Sequence, residues 1–186
     1  MPDISKPSLN ADDSLTKSSK STEEVVVNKR LPVWVWIATV LVVVFDQFTK
    51  WVVLKTIPFG EVKPVLPFLS FTLTFNSGAA FSFLASSGGW QRYLFTVVAI
   101  VVSIWLVQEL KKTSIALQQW GLLLILGGAL GNLYDRIAYG HVVDFILVHW
   151  QSWSFSVFNI ADSAISIGVA LLIMAIILDK TPIEKS

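Results

Sequence analysis

The chain has 186 residues, of which 54% are hydrophobic and 15% charged, against about 25% charged in an ordinary soluble domain. A formal net charge of +1 excludes a strongly basic nucleic-acid binder. The absence of cysteine excludes disulfides, thiolate nucleophiles, iron–sulfur clusters and cysteine-ligated zinc. Eight Trp and twelve Phe supply rings that settle where hydrocarbon meets water. This is the composition of a small integral membrane protein.

Residues 1–31 are rich in Ser, Thr, Asp, Lys and Glu and hold too little apolar surface for a core; they read as a disordered cytoplasmic tail. No small-x-small cleavage site follows the first apolar run, so the first helix is expected to be retained. Four apolar segments follow, Val33–Leu54, Tyr93–Gln108, Thr113–Tyr134 and Phe158–Leu178. A spanning helix needs about 20 apolar residues, and flanking Arg or Lys side chains reach outward to cover shorter ones. The expected fold is therefore all-α with four transmembrane helices over residues 32–179, followed by a short cytoplasmic tail at 180–186. The spacing Gly127-Gly128-Ala129-Leu130-Gly131 permits close helix packing in lipid.

Lysine and arginine set the expected orientation. Lys17, Lys20, Lys29 and Arg30 precede the first span, Lys111 and Lys112 lie between the second and third, and Lys180 and Lys185 follow the fourth. The positive-inside rule puts these segments, and both termini, in the cytoplasm. Lys55, Lys63 and Arg92 oppose this weakly from a longer loop. Two outer loops remain, at about 55–92 and 137–157. In the first, Leu69-Ser70-Phe71-Thr72-Leu73-Thr74-Phe75 alternates apolar and polar, which is strand periodicity. Pro64 and Pro67 precede this run and Asn76-Ser77-Gly78 ends it. A small extracytoplasmic β element is expected there, its Phe71, Leu73 and Phe75 face turned toward lipid or the bundle.

Polar residues at the ends of spans are costly and tend to mark function. On this topology Asp46, Lys50, Asn76, Asn132, Asp135, Arg136, Asp144, Asn159 and Asp162 all gather on the outer side. Asp46 and Lys50 stand four residues apart on a helix and can pair, a structural role. Asp135 has two cations within reach, the adjacent Arg136 and Lys50. Asn132 and Arg136 share a helix face, so Arg136 is also placed to clamp a substrate. Asp144 and Asp162 lie in apolar settings with no cation nearby in sequence. Brought together, two such carboxyls would share one proton at neutral pH and hydrolyse a peptide by acid–base catalysis. The alternatives are weaker. A Ser–Lys hydrolase would need a neutral Lys50, which Asp46 opposes. His141 and His149 have no G-x-S-x-G elbow to serve, lack a third metal ligand at helical spacing, and read as interfacial packing. A proton-coupled transporter would spread its acids over several depths, and a scaffold subunit would not need two unpaired aspartates.

Five stretches in order, Asp46-Gln47-Phe48-Thr49-Lys50, Asn76-Ser77-Gly78-Ala79-Ala80-Phe81, Gly131-Asn132-Leu133-Tyr134-Asp135-Arg136, Val142-Val143-Asp144-Phe145 and Phe158-Asn159-Ile160-Ala161-Asp162, carry a resemblance. Over residues 33–178 the chain resembles the bacterial lipoprotein signal peptidases (signal peptidase II). The resemblance implies an aspartic endopeptidase of the inner membrane with its site toward the periplasm. It would cut diacylglyceryl-modified prolipoproteins just before the lipidated cysteine. Carried over by motif, the catalytic pair is Asp144 and Asp162. Asn76, Asn132, Arg136 and Asn159 match substrate- and inhibitor-pocket positions, with Asp46, Lys50 and Asp135 in support. The resemblance also implies an outer β cradle, a short helix over the site, membrane lipid as surroundings and inhibition by the peptide antibiotic globomycin. No metal, organic cofactor or nucleic acid is expected.

Overall fold

The computed structural model describes residues 31–78 and 90–179. In chain order these form α1 (Val33–Thr56), β1 (Val62–Leu66), β2 (Leu69–Asn76), α2 (Trp90–Lys112), α3 (Ala116–Ala138), β3 (Val142–Trp150), β4 (Trp153–Ser154) and α4 (Ile160–Asp179). All four helices are long and apolar enough to cross a membrane. The helices outrun the uncharged windows that predict them. Arg92, Glu109, Lys111 and Lys112 stay helical in α2, because long charged side chains reach water while their backbone remains paired. α3 starts at Ala116 rather than Thr113, since Thr113 belongs to the turn: its N–H donates to the Glu109 carbonyl and its hydroxyl accepts from the Ile115 N–H. α3 also continues past Tyr134, so Asp135 and Arg136 are helical. Leu31, assigned to the tail by composition, packs against the core cluster of Val35, Leu106, Leu110, Leu123 and Leu126. The rest of both expected tails, residues 1–30 and 180–186, lies outside the described residues.

α1 explains why a polar stripe survives inside an apolar helix. Ile37, Leu41, Val44, Phe48 and Trp51 recur at helical spacing and are exposed, the face that meets lipid. Val35, Thr39, Asp46, Lys50 and Val53 form the buried face. α3 is the centre: α1, α2 and α4 each pack on it, α1 also touches α4, and α2 makes at most marginal contact with α1 or α4. Hydrocarbon is as apolar as leucine, so helices here associate through close fit and hydrogen bonds rather than burial from water. Glycines supply that fit. Gly121 and Gly168 meet backbone to backbone, and a Cβ on Gly128 would collide with the Ala161 carbonyl on α4. The GxxxG pair proper faces α1: a Cβ on Gly127 would meet Val42, and one on Gly131 would stand 2.7 Å from an Asp46 carboxylate oxygen.

The strands form one antiparallel sheet in the order β1-β2-β3-β4. β2 is where alternation predicts it. β1 and β3 are not what the sequence reading expects. Pro64, read as punctuation, lies within β1, an edge strand where a missing N–H costs nothing. The expected loop 137–157 contains β3, whose near-continuous run Val142–Val148 lacks alternation because its first four residues are all buried. Leu73, Val143 and Phe145 pack with Val53 and Ile57 at the end of α1, with Phe71 against them. Of the face expected to turn toward lipid or bundle, Phe71 and Leu73 therefore face the bundle. Phe75 is exposed and stacks on Phe59 at 5.2 Å. The sheet register sets Thr74 opposite Asp144 and Asn76 opposite Val142.

Gly128→Ala should separate α3 from α4, because the obstacle is a backbone carbonyl that cannot rotate away. A loss of roughly 1–3 kcal/mol is expected for such overpacking, read as a lower thermal midpoint in detergent.

Candidate active site

The site begins with a buried cation. Lys50 is 2% exposed, and its three N–H groups have three acceptors: Asp46 Oδ2 at 2.8 Å, Asp135 Oδ2 at 2.8 Å and Asn132 Oδ1 at 3.0 Å. Asp46 uses its other oxygen to accept the Ala161 N–H of α4 at 2.9 Å. Asp135 accepts the Val143 N–H of β3 at 3.1 Å. One ammonium thus ties α1 to α3, and its two carboxylates extend the tie to α4 and β3. Of the two cations in reach of Asp135, Lys50 is the one that pairs with it; the Arg136 guanidinium instead bonds the Asn132 carbonyl at 3.2 Å and lies 5.7 Å from the Phe95 ring centroid.

Because an ammonium only donates, Lys50 fixes which end of the Asn132 amide faces it. Asn132 Oδ1 takes the lysine, and Asn132 Nδ2 therefore faces Asp162, donating to its Oδ1 at 2.8 Å. Asp162 stands in the first turn of α4, in a reciprocal capping arrangement with Asn159. The Asp162 N–H donates to Asn159 Oδ1 at 2.9 Å, and the Asn159 N–H donates to Asp162 Oδ2 at 3.2 Å, which satisfies two donors of the helix start. Asn159 Nδ2 then turns the other way and donates to Asp144 Oδ1 at 2.7 Å. Asn159, fully buried, is the bridge between the two carboxyls.

Asp144 comes from β3, 2% exposed. Burial, then the nearby Asp162 charge, pushes its pKa up to about 6, opposed by hydrogen bonds from Asn76 and Asn159 and by the more distant Lys50. Asn76 is oriented by its own loop: its Oδ1 accepts the Gly78 N–H at 2.9 Å, leaving its amide hydrogens for Asp144. A cleft of about 330 Å³ opens over Asp144, lined by Thr74, Phe75, Asn76, Ser77, Ser156 and Val157. Four carboxyls (Asp46, Asp135, Asp144, Asp162) thus converge with two cations (Lys50, Arg136), and a proton on one carboxyl reduces the excess negative charge. Among the described residues no group of three His, Asp or Glu side chains is placed to hold a metal ion.

All nine residues singled out in the sequence lie in this one region. Two further contributors were missed. Gln47 Nε2 donates to Asp135 Oδ1 at 2.8 Å, to Asp46 Oδ2 at 3.1 Å and to the Gly131 carbonyl at 3.1 Å. Its neutral side chain gave no charge to notice; its place beside Asp46 was the only signal. Arg92, read only as a loop charge, donates to the Arg136 carbonyl and the Ile137 carbonyl, each at 3.0 Å, covering the end of α3. Gly140, with φ of 84°, passes so close to the Arg92 guanidinium that a Cβ would stand 2.9 Å from it. The histidines pack as expected: His149 shares a 2.9 Å hydrogen bond with Ser70, and His141 lies against Phe75. Ala79, Ala80 and Phe81 of the second motif, and any short helix over the site, fall outside the described residues.

A buried Asp144 and a part-buried Asp162, joined through Asn159 at one end of four helices able to cross a membrane, suit a multi-pass membrane enzyme of the aspartic type. The family model for signal peptidase (SPase) II matches residues 38–178, and the chain belongs to that family. It is 55% identical over 148 residues to the lipoprotein signal peptidase of Pseudomonas aeruginosa, covering 77% of this chain and 86% of that protein. It is 46% identical over 153 residues to the lipoprotein signal peptidase of Neisseria meningitidis serogroup B, covering 81% and 93% respectively. A solved structure of a bacterial membrane enzyme, obtained by the in meso method at 2.3 Å resolution, superposes with a TM-score of 0.73 at 34% identity, covering 86% of this chain and 96% of that one. A second, at 1.9 Å resolution, gives a TM-score of 0.70 at 33% identity over 86% and 98% of the two chains.

Lys50→Met should leave Asp46 and Asp135 buried without their cation. Removing one partner of a buried pair costs about 3–5 kcal/mol, so the variant should unfold far below the parent in detergent. A variant of unchanged thermal midpoint would show that the ammonium does not hold the bundle.

Proposed function

We propose that the chain is an aspartic endopeptidase that removes the signal peptide from diacylglyceryl-modified prolipoproteins, cutting just before the lipidated cysteine, with Asp144 and Asp162 as its catalytic pair. The observation that carries the assignment is Asn159, which bonds both carboxyls at once, its side-chain amide donating to Asp144 and its backbone N–H to Asp162. Asp144, with its raised pKa, carries the shared proton. Asp162 takes a proton from a water molecule as the water oxygen attacks the scissile carbonyl, while Asp144 gives its proton to the carbonyl oxygen. The tetrahedral intermediate then collapses: Asp162 gives the proton it took to the nitrogen of the lipidated cysteine, the C–N bond breaks, and a hydroxyl proton of the gem-diol returns to Asp144 as the acyl side leaves as the signal peptide's new carboxyl end. Asn132 and Asn159 orient the pair. Arg136, steadied by the Phe95 ring, holds substrate carbonyls at the mouth, and Asn76 holds both Asp144 and the substrate backbone. Globomycin, which inhibits the family, is assigned to the same cleft.

The enzyme lies in the inner membrane with both termini cytoplasmic and the sheet and site on the periplasmic side, as the lysine and arginine distribution supports. A site at the leaflet surface suits a lipid-anchored substrate, since each buried CH₂ adds about 0.8 kcal/mol to membrane anchoring. The substrate diffuses in laterally and its acyl chains need never leave the bilayer.

Asp144→Asn and Asp162→Asn should each abolish cleavage of a purified lipid-modified prolipoprotein, with the double variant scarcely worse than either single one. Groups acting as a unit are strongly non-additive. A well-folded Asp144→Asn that still turns over substrate would overturn the pair.

The pH profile is a separate check. A raised carboxyl pKa means the proton is present below about 6 and lost above it. The free enzyme's kcat/KM should therefore fall as pH rises through that value. The kcat profile reports the substrate-bound site, where excluded water raises the pKa further, so its fall should come at higher pH. A kcat/KM profile flat from pH 5 to 8 would contradict the proton assignment.

A further inference from the structure

The largest cavity described lies far from the carboxyls. It measures about 510 Å³ and sits at the opposite end of the cleft between α2 and α4, among Trp105, Glu109, Lys112, Gln118, Leu172 and Ile176. α2 and α4 both lean on α3 but hardly meet each other. Toward the other end of α2 and α3, Arg136 lies against Phe95 beside the candidate site. The floor of the cleft is the α2–α3 turn, held by the Thr113 hydroxyl bonded to Gln118 Oε1 and by Gln119 Nε2 donating to the Thr113 carbonyl.

Resting on the proteolytic reading above, we infer that this cleft is the bed of the substrate's signal helix, and that Glu109 at its floor receives the basic N-terminal region of the signal peptide. Length supports it. From Gln118 at the floor to Asn132 at the site is one stretch of α3, roughly 21 Å at 1.5 Å per residue. A signal peptide's apolar region of 7–15 residues spans about 10–23 Å as a helix, so its longer examples reach from the cut to the floor. Charge supports it as well. The neighbouring cleft, between α1 and α2, measures about 370 Å³ and is lined by Trp36, Ser103, Gln108 and Leu126, with Lys111 at its end. A lysine repels a basic segment. The α2–α4 cleft ends instead on an ion pair, Glu109 Oε1 lying 2.8 Å from the ammonium of Lys112, which is 56% exposed and also lines the cavity, so this floor carries no net charge where the neighbouring one is positive. An exposed pair of this kind is weak, and the carboxylate's other oxygen is given no partner among the described residues. A basic substrate group can share it.

The test uses the full-length chain in phospholipid–detergent micelles with a purified diacylglyceryl prolipoprotein whose N-terminal region carries either two lysines or two glutamines. The unsubstituted chain should bind the lysine form with the lower KM. Glu109→Gln should raise that KM about three- to tenfold with kcat nearly unchanged, and should leave the glutamine form unaffected. The chain has no cysteine of its own, so a benzophenone can be coupled to Leu172→Cys or, in the other cleft, to Trp36→Cys. Capture of uncleaved substrate from Leu172→Cys and not from Trp36→Cys is expected. Capture from Trp36→Cys alone, capture of phospholipid only, or equal KM for the two substrate forms would overturn the inference. If Glu109→Gln fails to fold, the comparison of the two substrates on the unsubstituted chain decides alone. An unsubstituted chain that cleaves neither form would instead condemn the proteolytic reading, so the two failures are distinct.

Discussion

Lys50 sits 2% exposed between two fully buried carboxylates, and taking charges out of water costs several kcal/mol per ion even after relaxation. Such an arrangement survives only if every donor and acceptor is answered, and here each is. The ammonium's three hydrogens meet three oxygens, and the carboxylates' remaining capacity goes to Gln47 and to backbone N–H groups of α4 and β3. The demand for satisfaction converts one expensive charge into geometric precision. In hydrocarbon, where burial of leucine supplies little force between helices, directional bonds of this kind are what can fix the register of α1, α3, α4 and the sheet.

That register has a chemical consequence, because polarity propagates outward from the lysine. Asn132 must turn its oxygen to Lys50 and its amide to Asp162; Asn159 must turn its oxygen to the first turn of α4 and its amide to Asp144. Each amide has one orientation that leaves no donor facing a donor. The carboxyls are thereby held through two short, hydrogen-bonded amides, the preorganisation that the proposed acid–base pair requires. The glycines of α3 belong to the same logic. Gly131 leaves room for the Asp46 carboxylate, and any larger residue there would push against the network rather than against lipid.

Much of this was legible in the sequence. Four spans could be read from apolar length, β2 from its alternation, and the Asp46–Lys50 pair from i, i+4 spacing, since each depends on a local period. β3 was not legible, because a strand buried on both faces loses the alternation that would identify it, and Val142–Val148 reads equally as part of a loop or a buried run. The convergence of polar residues at one end could be inferred from topology alone. Their pairing could not: whether Asp135 meets Lys50 or its own neighbour Arg136 depends on which face of α3 meets α1, a tertiary fact. Gln47 escaped for a related reason. A neutral amide in an apolar helix carries no period and no charge, and its three acceptors come from both α1 and α3.

The two carboxyls differ because the fold delivers them from different kinds of secondary structure. Asp162 lies in the first turn of a helix, where unpaired N–H groups and the helix dipole face it, and both its oxygens already accept hydrogen bonds. Asp144 lies on a strand, whose dipoles largely cancel, packed among Val142, Val143 and Phe145, each almost wholly buried. Two aspartates with the same intrinsic acidity are thus given unlike surroundings by helix and sheet, and unlike surroundings are what acid and base roles require. Placing both on one helix would forfeit that difference, since neighbours on a turn share one environment. In the proposed mechanism the sheet is therefore part of the chemistry: it carries the second carboxyl into an apolar setting that the bundle's helix ends do not offer, and Asn159 joins that setting to the first.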